Sequence, residues 1–317
     1  MGLDVGGTST RVLMADLSGR RRGTGRAGGG NPVARGEPTA RHNVATAVRQ
    51  AMGTESPERI SAVVMGVAGV STLGDDSPVF DPVWQELGLR CPVRLVADAV
   101  AAFAAATHHP HGTVLIAGTG AIACAIDAGT VTTRSDGYGW LLGDLGSGWW
   151  LGKQAAYAAL QHAAGHGPGG VLVSTVLDRL LGTDRAEVPD VNRVITAAVA
   201  RPPVTLSELA PLVTAAADRD DPVATGIIDE AVEHLTRSVA WARGASETGP
   251  IALAGSLAAE DTAVSRPLTA RLHDRYPDVP IRRGSDGAAG AAWLAATTVT
   301  DPERHTELHA RLMGTAP

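Results

Sequence analysis

The amino-acid sequence predicts an α/β fold built from two similar halves. Strands alternate with helices along the chain, which is the pattern of an α/β protein. A strand, a glycine-rich turn and a second strand occupy residues 1–19, and the same order returns at residues 114–130. The chain has 317 residues, more than one hydrophobic core usually serves. These observations predict two domains related by an internal duplication.

In the first half, we predict a helix at residues 43–52, a buried strand within residues 60–70 and a strand at residues 93–97 that leads into a helix. The arginines at residues 20–26 are interpreted as a solvated hairpin between strands. The first strand begins almost at Met1 and would have only three residues before its glycine turn, whereas strands usually have about five or six. We therefore expect the natural start of the chain to lie upstream of Met1.

The second half reads as mostly helical over residues 153–245, followed by a short strand, a Gly-Ser pair and another helix start. The alanine-rich stretch at residues 286–298 predicts a last helix, in which Gly287 and Gly290 allow close packing. We place the first domain at residues 1–108 plus 286–317 and the second at residues 109–285. Short hinges are expected at residues 107–112 and 284–286.

The composition excludes several classes of function. A formal net charge of −6 provides no basic surface for nucleic acid. Two cysteines are too few for a disulfide framework or a thiolate zinc site. No apolar run reaches the ~18 to 20 residues that span a bilayer, and no signal peptide is visible. We expect a cytoplasmic protein with neither a nucleic-acid nor a membrane partner.

The two glycine turns are candidate phosphate-binding loops. Asp4 lies at the end of a strand, directly before Val5, Gly6, Gly7 and Thr8, and an aspartate in a strand is costly unless it has a partner. It could anchor Mg²⁺ while the backbone N–H groups after it receive phosphate oxygens, or it could form a local Asx-turn. Gly118, Thr119 and Gly120 form the second loop on the same reasoning.

Two further aspartates are candidates for binding or activating the molecule that accepts a phosphoryl group. Asp98 stands where a strand becomes a helix, so it could cap that helix, act as a base on a phosphoryl acceptor, or do both. Asp144 is the one charged residue of the stretch GYGWLLGDLGSGWW at residues 137–150. The tryptophans there could form a wall for a sugar ring, or a buried aromatic cluster beside a tight turn.

Seven segments in order give the chain a resemblance to a known family. They are LDVGGTSTR at 3–11, GGGNP at 28–32, VADAVAAF at 96–103, AGTGAIA at 117–123, GWLLGDLGSGWWLG at 139–152, LAGSLA at 253–258 and DGAAGAAWLA at 286–295. The chain resembles the acetate and sugar kinase/Hsc70/actin superfamily. Within it, the chain is most similar to the N-acetylglucosamine kinase group of the BadF/BadG-type ATPases.

This resemblance implies a two-lobed cleft of duplicated ribonuclease-H-like (actin-like ATPase) domains, and a homodimeric kinase that uses ATP and Mg²⁺. It implies that Asp98 is the base on the 6-hydroxyl of N-acetylglucosamine and that Asp4 holds the metal. The roles implied for the other positions are sugar binding or nucleotide binding. The sugar-binding positions are Asn31, Asp98, Gly120 and Asp144, and the nucleotide-binding positions are Gly6, Gly7, Thr8, Gly118, Thr119, Gly120, Gly255 and Ser256.

Two positions depart from the family pattern. Leu145 stands where the family commonly has an acid, and Ala121 where it commonly has a serine. Each change removes a polar group near the ligand, so the substituent on the sugar's second carbon is left open. Alternatives are a kinase for glucosamine, for a related amino sugar or for a muropeptide-derived sugar, an iron–sulfur ATPase activator, and a sugar-binding regulator without catalysis. An activator needs exposed cysteines, whereas Cys124 lies in a predicted buried strand.

Overall fold

The computed structural model describes residues 1–69, 77–182, 190–284 and 286–315. The strands of the described residues are β1 (Gly2–Val5), β2 (Ser9–Ala15), β3 (Arg21–Gly28), β4 (Val63–Val67), β5 (Val93–Ala97), β6 (His111–Ala117), β7 (Ala121–Asp127), β8 (Thr130–Asp136), β9 (Ile251–Ala254) and β10 (Ile281–Gly284). The strand predicted within residues 60–70 is therefore confirmed in its centre, and residue 70 lies outside the described residues.

The helices that position the site are distributed over both halves. They are α1 (Pro32–Arg35), α2 (Glu37–Met52), α3 (Asp81–Glu86), α4 (Asp98–Ala106), α5 (Gly148–Ala163), α6 (Val171–Leu181), α7 (Val191–Val199), α8 (Ala210–Ala217), α9 (Pro222–Ala242), α10 (Ser256–Ala259), α11 (Ser265–Arg275), α12 (Gly287–Thr297) and α13 (His305–Leu312). Four short 3₁₀ turns are also described, at Pro57–Arg59, Pro78–Phe80, Pro203–Leu209 and Pro302–Arg304. None of the described helices is long and apolar enough to cross a membrane.

The described strands form two five-stranded sheets with the same topology. The first has the order β3-β2-β1-β4-β5 and the second β8-β7-β6-β9-β10, read in the matching direction. In each, three antiparallel strands are followed by two that run parallel to the first of them. The predicted internal duplication is confirmed. The exact domain limits at residues 108 and 285 stay a prediction, and residue 285 lies outside the described residues.

The arginine-rich segment forms the edge strand β3, which pairs antiparallel with β2 and is largely exposed. The predicted solvated hairpin is therefore confirmed, although the sequence did not predict that the segment is itself a strand. Its glycines alternate with exposed polar side chains, and α2 packs directly on the glycine face. A Cβ at Gly25 would lie 1.8 Å from the carbonyl oxygen of Ala47, and one at Gly23 would lie 2.0 Å from that of Ala51. Glycine permits this close approach of α2 to β3. The strand was not predicted because glycine usually destabilises a strand.

Helices α4 and α12 lie between the two sheets and form a core with both. Their buried side chains pack together with residues of β4 and β5 on one side and of β6, β7 and β9 on the other. A Cβ at Gly290 would lie 2.1 Å from the carbonyl oxygen of Ala101, so the two helix backbones are in close contact. The predicted role of Gly290 is confirmed. This packing brings the N-terminus of α4 next to the second sheet.

Candidate active site

Each glycine turn closes a hairpin at the top of its sheet. In the first, the Gly6 amide donates to the carbonyl of Ser9 at 2.9 Å, between β1 and β2. In the second, the Gly118 amide donates to the carbonyl of Gly120 at 2.9 Å, between β6 and β7. Thr8 and Thr119 are exposed at the tips. Because the sheets share one topology, the two loops occupy matching places in the two halves.

Some of these glycines are not required by the protein itself. A Cβ at Gly118 would meet no atom within 4 Å, and Cβ atoms at Gly6 and Gly7 would make only ordinary contacts. None of the three has a positive φ. A glycine that neither packing nor backbone conformation demands leaves room for a ligand to approach the backbone. Both loops therefore offer free backbone surface of the kind that receives phosphate groups.

Asp4 lies on β1 and faces the start of α12. Its Oδ2 accepts a hydrogen bond from Arg11 Nη2 at 2.6 Å, forming a half-exposed ion pair. A Cβ at Gly287, the first residue of α12, would lie 2.9 Å from the same oxygen. The positive end of the helix dipole therefore stabilises the Asp4 carboxylate. Gly287 allows close packing as predicted, and the group it approaches is this carboxylate.

Asp98 is the first residue of α4, directly after β5. Ala97 occupies the N-cap position and makes no side-chain cap, so the interpretation of Asp98 as the N-cap was wrong by one residue. Asp98 Oδ1 accepts instead from the amide of Ala99 at 2.9 Å. Burial, and secondly the negative charge of Asp4, raise the pKa of Asp98 to about 6. A carboxylate with a raised pKa can take up a proton near neutral pH.

Asp144 connects the loop after β8 to the second glycine turn. Its backbone has a φ of 57°, and its Oδ1 accepts from the amide of Ala121 at 3.1 Å. A Cβ at Gly120 would lie 3.0 Å from that oxygen, so the glycine turn and the carboxylate are in contact. Burial raises the pKa of Asp144, while the bond from Ala121 opposes this effect. The amide of Ala121 is thus occupied by Asp144.

Asp136, at the end of β8, organises this loop and was missed in the sequence. Its Oδ1 accepts from the amide of Asp144 at 2.7 Å and its Oδ2 from that of Leu145 at 2.9 Å. Asp136 is 7% exposed and has a φ of 63°. An aspartate followed by glycine directly after a strand signals such a turn. This pair of residues in the sequence predicts a turn. It does not predict that Asp136 binds the amides of Asp144 and Leu145.

The tryptophans of this stretch have two different fates. Trp149 and Trp150 lie in α5 and pack in the core of the second half, which favours the buried aromatic cluster over the sugar wall for these two residues. Only Trp140 of the three is exposed, and its ring centroid lies 6.1 Å from that of Trp149. Leu145 also packs against this core. A leucine at this position is therefore explained by packing.

The remaining predicted site residues are Asn31, Gly255 and Ser256. Asn31 caps α1 by accepting from the amide of Val33 at 2.9 Å, and its Nδ2 donates to the carbonyl of Ala68 at 2.9 Å. Gly255 has a φ of 79°, and a Cβ there would lie 2.3 Å from the carbonyl oxygen of Ala117. Ser256 follows it, exposed, at the start of α10. The backbone conformation and packing therefore require a glycine at position 255, independently of any contact that it makes with a nucleotide.

A pocket of about 350 Å³ joins the two halves beside Asp98. One side consists of Gly69 and the start of α4, and the other of residues from β7 and β8. Asp98 lines it, and Ile122 on its opposite side follows directly on Ala121. Among the described residues, no group of three or more His, Cys, Asp or Glu is placed to hold a metal ion.

Duplicated five-stranded sheets, paired glycine turns and aspartates between them define an actin-like ATPase fold with a site between its halves. The chain belongs to the BadF/BadG/BcrA/BcrD ATPase family, whose model matches residues 1–295. The predicted family and fold class are confirmed, and the family is one of proteins that use ATP.

Three proteins named as amino-sugar kinases are similar to this chain, each over a different share of its length. An N-acetylmuramic acid/N-acetylglucosamine kinase from Clostridium acetobutylicum is 30% identical over 185 residues, which is 58% of this chain and 59% of that protein. An N-acetyl-D-glucosamine kinase from Dictyostelium discoideum is 26% identical over 93% of this chain and 97% of that one. A solved Chromobacterium violaceum protein assigned as an N-acetylglucosamine kinase is 25% identical with a TM-score of 0.71, covering 92% and 97% of the two chains.

Proposed function

We propose that this protein is a hexosamine kinase that transfers the γ-phosphate of ATP to the 6-hydroxyl of N-acetyl-D-glucosamine. The coarser class, an ATP-dependent sugar kinase, is confirmed by the ATPase family and by relatives named as sugar kinases. The observation that supports the finer statement most directly is the placement of Asp98. Its carboxylate, with a pKa raised to about 6, lines a pocket between the two halves.

Each part of the site has a role in this reaction. The amides of Gly6 and Gly118 are engaged within their turns, so the other amides of the two turns receive the phosphate oxygens. Gly6, Gly7 and Gly118 carry no side chain that would block this approach. Asp98 orients the acceptor hydroxyl and takes its proton as the new bond to phosphorus forms. Asp144, held by Ala121 against the second turn, bonds other hydroxyls of the sugar. Positioning and electrostatics provide most of the catalysis.

The residues present fit a magnesium ion carried by the nucleotide. Mg²⁺ commonly takes one or two carboxylates together with substrate phosphates and water. Asp4 lies beside the first turn, and within the part of the chain that the structure describes only its Oδ2 accepts a side-chain hydrogen bond, from Arg11. Asp4 would hold the ion, which when bound neutralises charge on the phosphates. Arg11 would then balance the Asp4 carboxylate in the absence of nucleotide.

The test is release of ADP in the presence of ATP and Mg²⁺, with a panel of acceptors. N-acetylglucosamine, glucosamine, N-acetylmannosamine and glucose are compared with a reaction without sugar. We expect N-acetylglucosamine to stimulate release, and Asp98→Asn to lower turnover by at least ~100-fold while ATP still binds. Near-normal turnover in Asp98→Asn removes this residue from the mechanism. The position of the new phosphate ester follows from NMR of the product.

A kinase for glucosamine or another amino sugar is the second candidate. It is favoured by Ala121 and Leu145, which place no polar side chain at the two positions where the family commonly has one. The acceptor panel distinguishes the two directly. An iron–sulfur activator is disfavoured because Cys124 is buried and burial raises its pKa to about 12. Absence of iron–sulfur absorption in the purified protein excludes that option.

The homodimer and the cytoplasmic location stay predictions. Light scattering on the purified chain measures the first. A small sugar as the substrate follows from the relatives named as sugar kinases.

A further inference from the structure

We infer that Arg35 is a positioning residue for the nucleotide: its guanidinium orients a peptide of the first glycine turn so that the amide of Thr8 faces the phosphates. This inference rests on the proposed function, because it names a residue that prepares the donor side of the same site. Arg35 is the exposed last residue of α1, and its Nε donates to the carbonyl of Gly7 at 2.7 Å.

Two carbonyl groups of the first turn are bound by the segment that follows β3. The carbonyl of Gly6 accepts from the amides of Gly30 at 3.1 Å and of Asn31 at 3.2 Å. The carbonyl of Gly7, which accepts from the guanidinium, also lies against this segment. A Cβ at Gly29 would be 2.1 Å from the Gly7 oxygen, so the backbone of the segment and this carbonyl are in close contact. Both carbonyls therefore have fixed directions.

The planar peptide bond determines where the next amides point. In a trans peptide the C=O and N–H groups point in opposite directions. Because the carbonyl of Gly6 is bound, the amide of Gly7 points away from the segment after β3, and because the carbonyl of Gly7 is bound, the amide of Thr8 points away from Arg35. Within the described residues, neither amide has a hydrogen-bond partner. These are donors of the kind that receive phosphate oxygens.

The second turn has the same arrangement, which provides an internal comparison. The carbonyl of Gly118 accepts from the amide of Gly148 at 2.7 Å, and that of Thr119 accepts from the amide of Trp149 at 3.1 Å. The amides of Thr119 and Gly120 have no partner in the part of the chain that the structure describes. Here too, bound carbonyls leave the amides after them free for a ligand.

Arg35 replaces a backbone donor of the second half. Each turn has three residues between its strands, so Gly7 and Thr119 occupy the same place in the two sheets. The carbonyl of Thr119 is bound by the Trp149 amide at the start of α5, whereas that of Gly7 is bound by the guanidinium of Arg35. A side chain can be substituted without changing the backbone. The first turn therefore allows a test that the second does not.

The experiment measures binding of a non-hydrolysable ATP analogue with Mg²⁺ by calorimetry, together with the KM for ATP and the KM for sugar. Arg35→Met keeps the side-chain length and removes the donor. We expect it to weaken analogue binding and raise the KM for ATP about 10-fold, and to change the KM for sugar less than about 3-fold. Arg35→Lys should restore most of the loss, because an ammonium group can also donate to the Gly7 carbonyl.

Arg41→Met is the matched control. Arg41 lies on α2, and its Nε also donates to a backbone carbonyl, that of Val79 at 2.6 Å, which belongs to neither turn. Its replacement removes the same charge and the same kind of bond, and analogue binding should stay close to that of the wild type.

Equal weakening in the two methionine variants, or no recovery in Arg35→Lys, overturns the inference. Analogue binding by Arg35→Met within about 2-fold of the wild type overturns it as well. The calorimetric measurement separates the two proposals, because it needs no turnover. A wild-type protein that binds the analogue but phosphorylates no sugar contradicts the kinase, whereas analogue binding that does not depend on Arg35 contradicts only the inference.

Discussion

The carboxylate of Asp136 holds the backbone of Asp144, with 2.7 Å between Asp136 Oδ1 and the Asp144 amide. Both residues have a positive φ, which non-glycine residues rarely adopt. The buried carboxylate of Asp136 therefore stabilises the strained turn that presents the Asp144 side chain to the second glycine turn. Sugar binding in the proposed kinase depends on this contact, although Asp136 itself need not touch a ligand.

Asp136→Asn should weaken the acceptor site without abolishing catalysis. An amide group can accept through only one of its two polar atoms, so either the Asp144 or the Leu145 amide loses its acceptor. The lost bond costs about 1–3 kcal/mol, since hydrogen bonds to buried charged groups are among the stronger ones. We expect a higher KM for sugar and an unchanged KM for ATP in steady-state kinetics.

The control for this variant is Asp127→Asn, at the exposed end of β7. It removes the same charge from the same hairpin without breaking a bond to the loop. A similar rise of the KM for sugar in both variants would show that the lost negative charge, and not the geometry of the Asp144 loop, is responsible.

The rate should fall below pH 6. Burial and the charge of Asp4 raise the pKa of Asp98 to about 6, so the base becomes protonated and inactive as the pH falls through that value. A plot of log kcat/KM for the sugar against pH should bend near 6 with a slope of one on the acid side. Circular dichroism at pH 5 confirms that the protein remains folded. A bend near 4, the usual value for an aspartate, argues against this environment for Asp98.

Asp98→Asn should make the protein more stable at high pH. Because the folded-state pKa of Asp98 lies above its unfolded value, ionisation above pH 6 opposes folding, and protonation relieves this effect at lower pH. A shift from 3.8 to about 6 corresponds to about 3 kcal/mol at most. We expect urea denaturation at pH 8 to show a gain in the free energy of unfolding for Asp98→Asn. The gain should shrink as the pH falls through 6, and equal gains at pH 5 and pH 8 contradict the assignment.

Gly118→Ala should impair nucleotide binding and leave the fold intact. The added Cβ meets no protein atom within 4 Å, so the stability should change by less than about 0.5 kcal/mol. The same Cβ enters the space proposed for phosphate, and we expect KM for ATP to rise at least about 10-fold, a tenfold change corresponding to about 1.4 kcal/mol.

Gly255→Ala provides the contrast. There the Cβ would lie 2.3 Å from the Ala117 carbonyl oxygen on a backbone with φ 79°, so the variant should lower the melting temperature clearly. If Gly118→Ala lowers the melting temperature as much as Gly255→Ala, the second turn is structural and its open face is not a ligand site.

The sequence by itself determined the duplicated α/β fold, the two glycine turns and the places of Asp4, Asp98 and Asp144. These follow from local signals: apolar strands, turn residues and an aspartate at a strand end. Strand β5 and the start of α4 were located to the residue. The edge strand β3 was missed because its glycines are explained only by α2, which packs on them from a distant part of the chain.

Only the tertiary structure decided which of these residues meet. Trp149 and Trp150 belong to a core that depends on helices far along the chain, so their residue type could not distinguish a sugar wall from packing. Asp136 gains its role from amides eight and nine residues away, and Asp98 lines a pocket shared with the other half of the molecule. The physical reason is that burial and electrostatic environment depend on contacts between distant segments. Residue types and local periodicity do not specify those contacts.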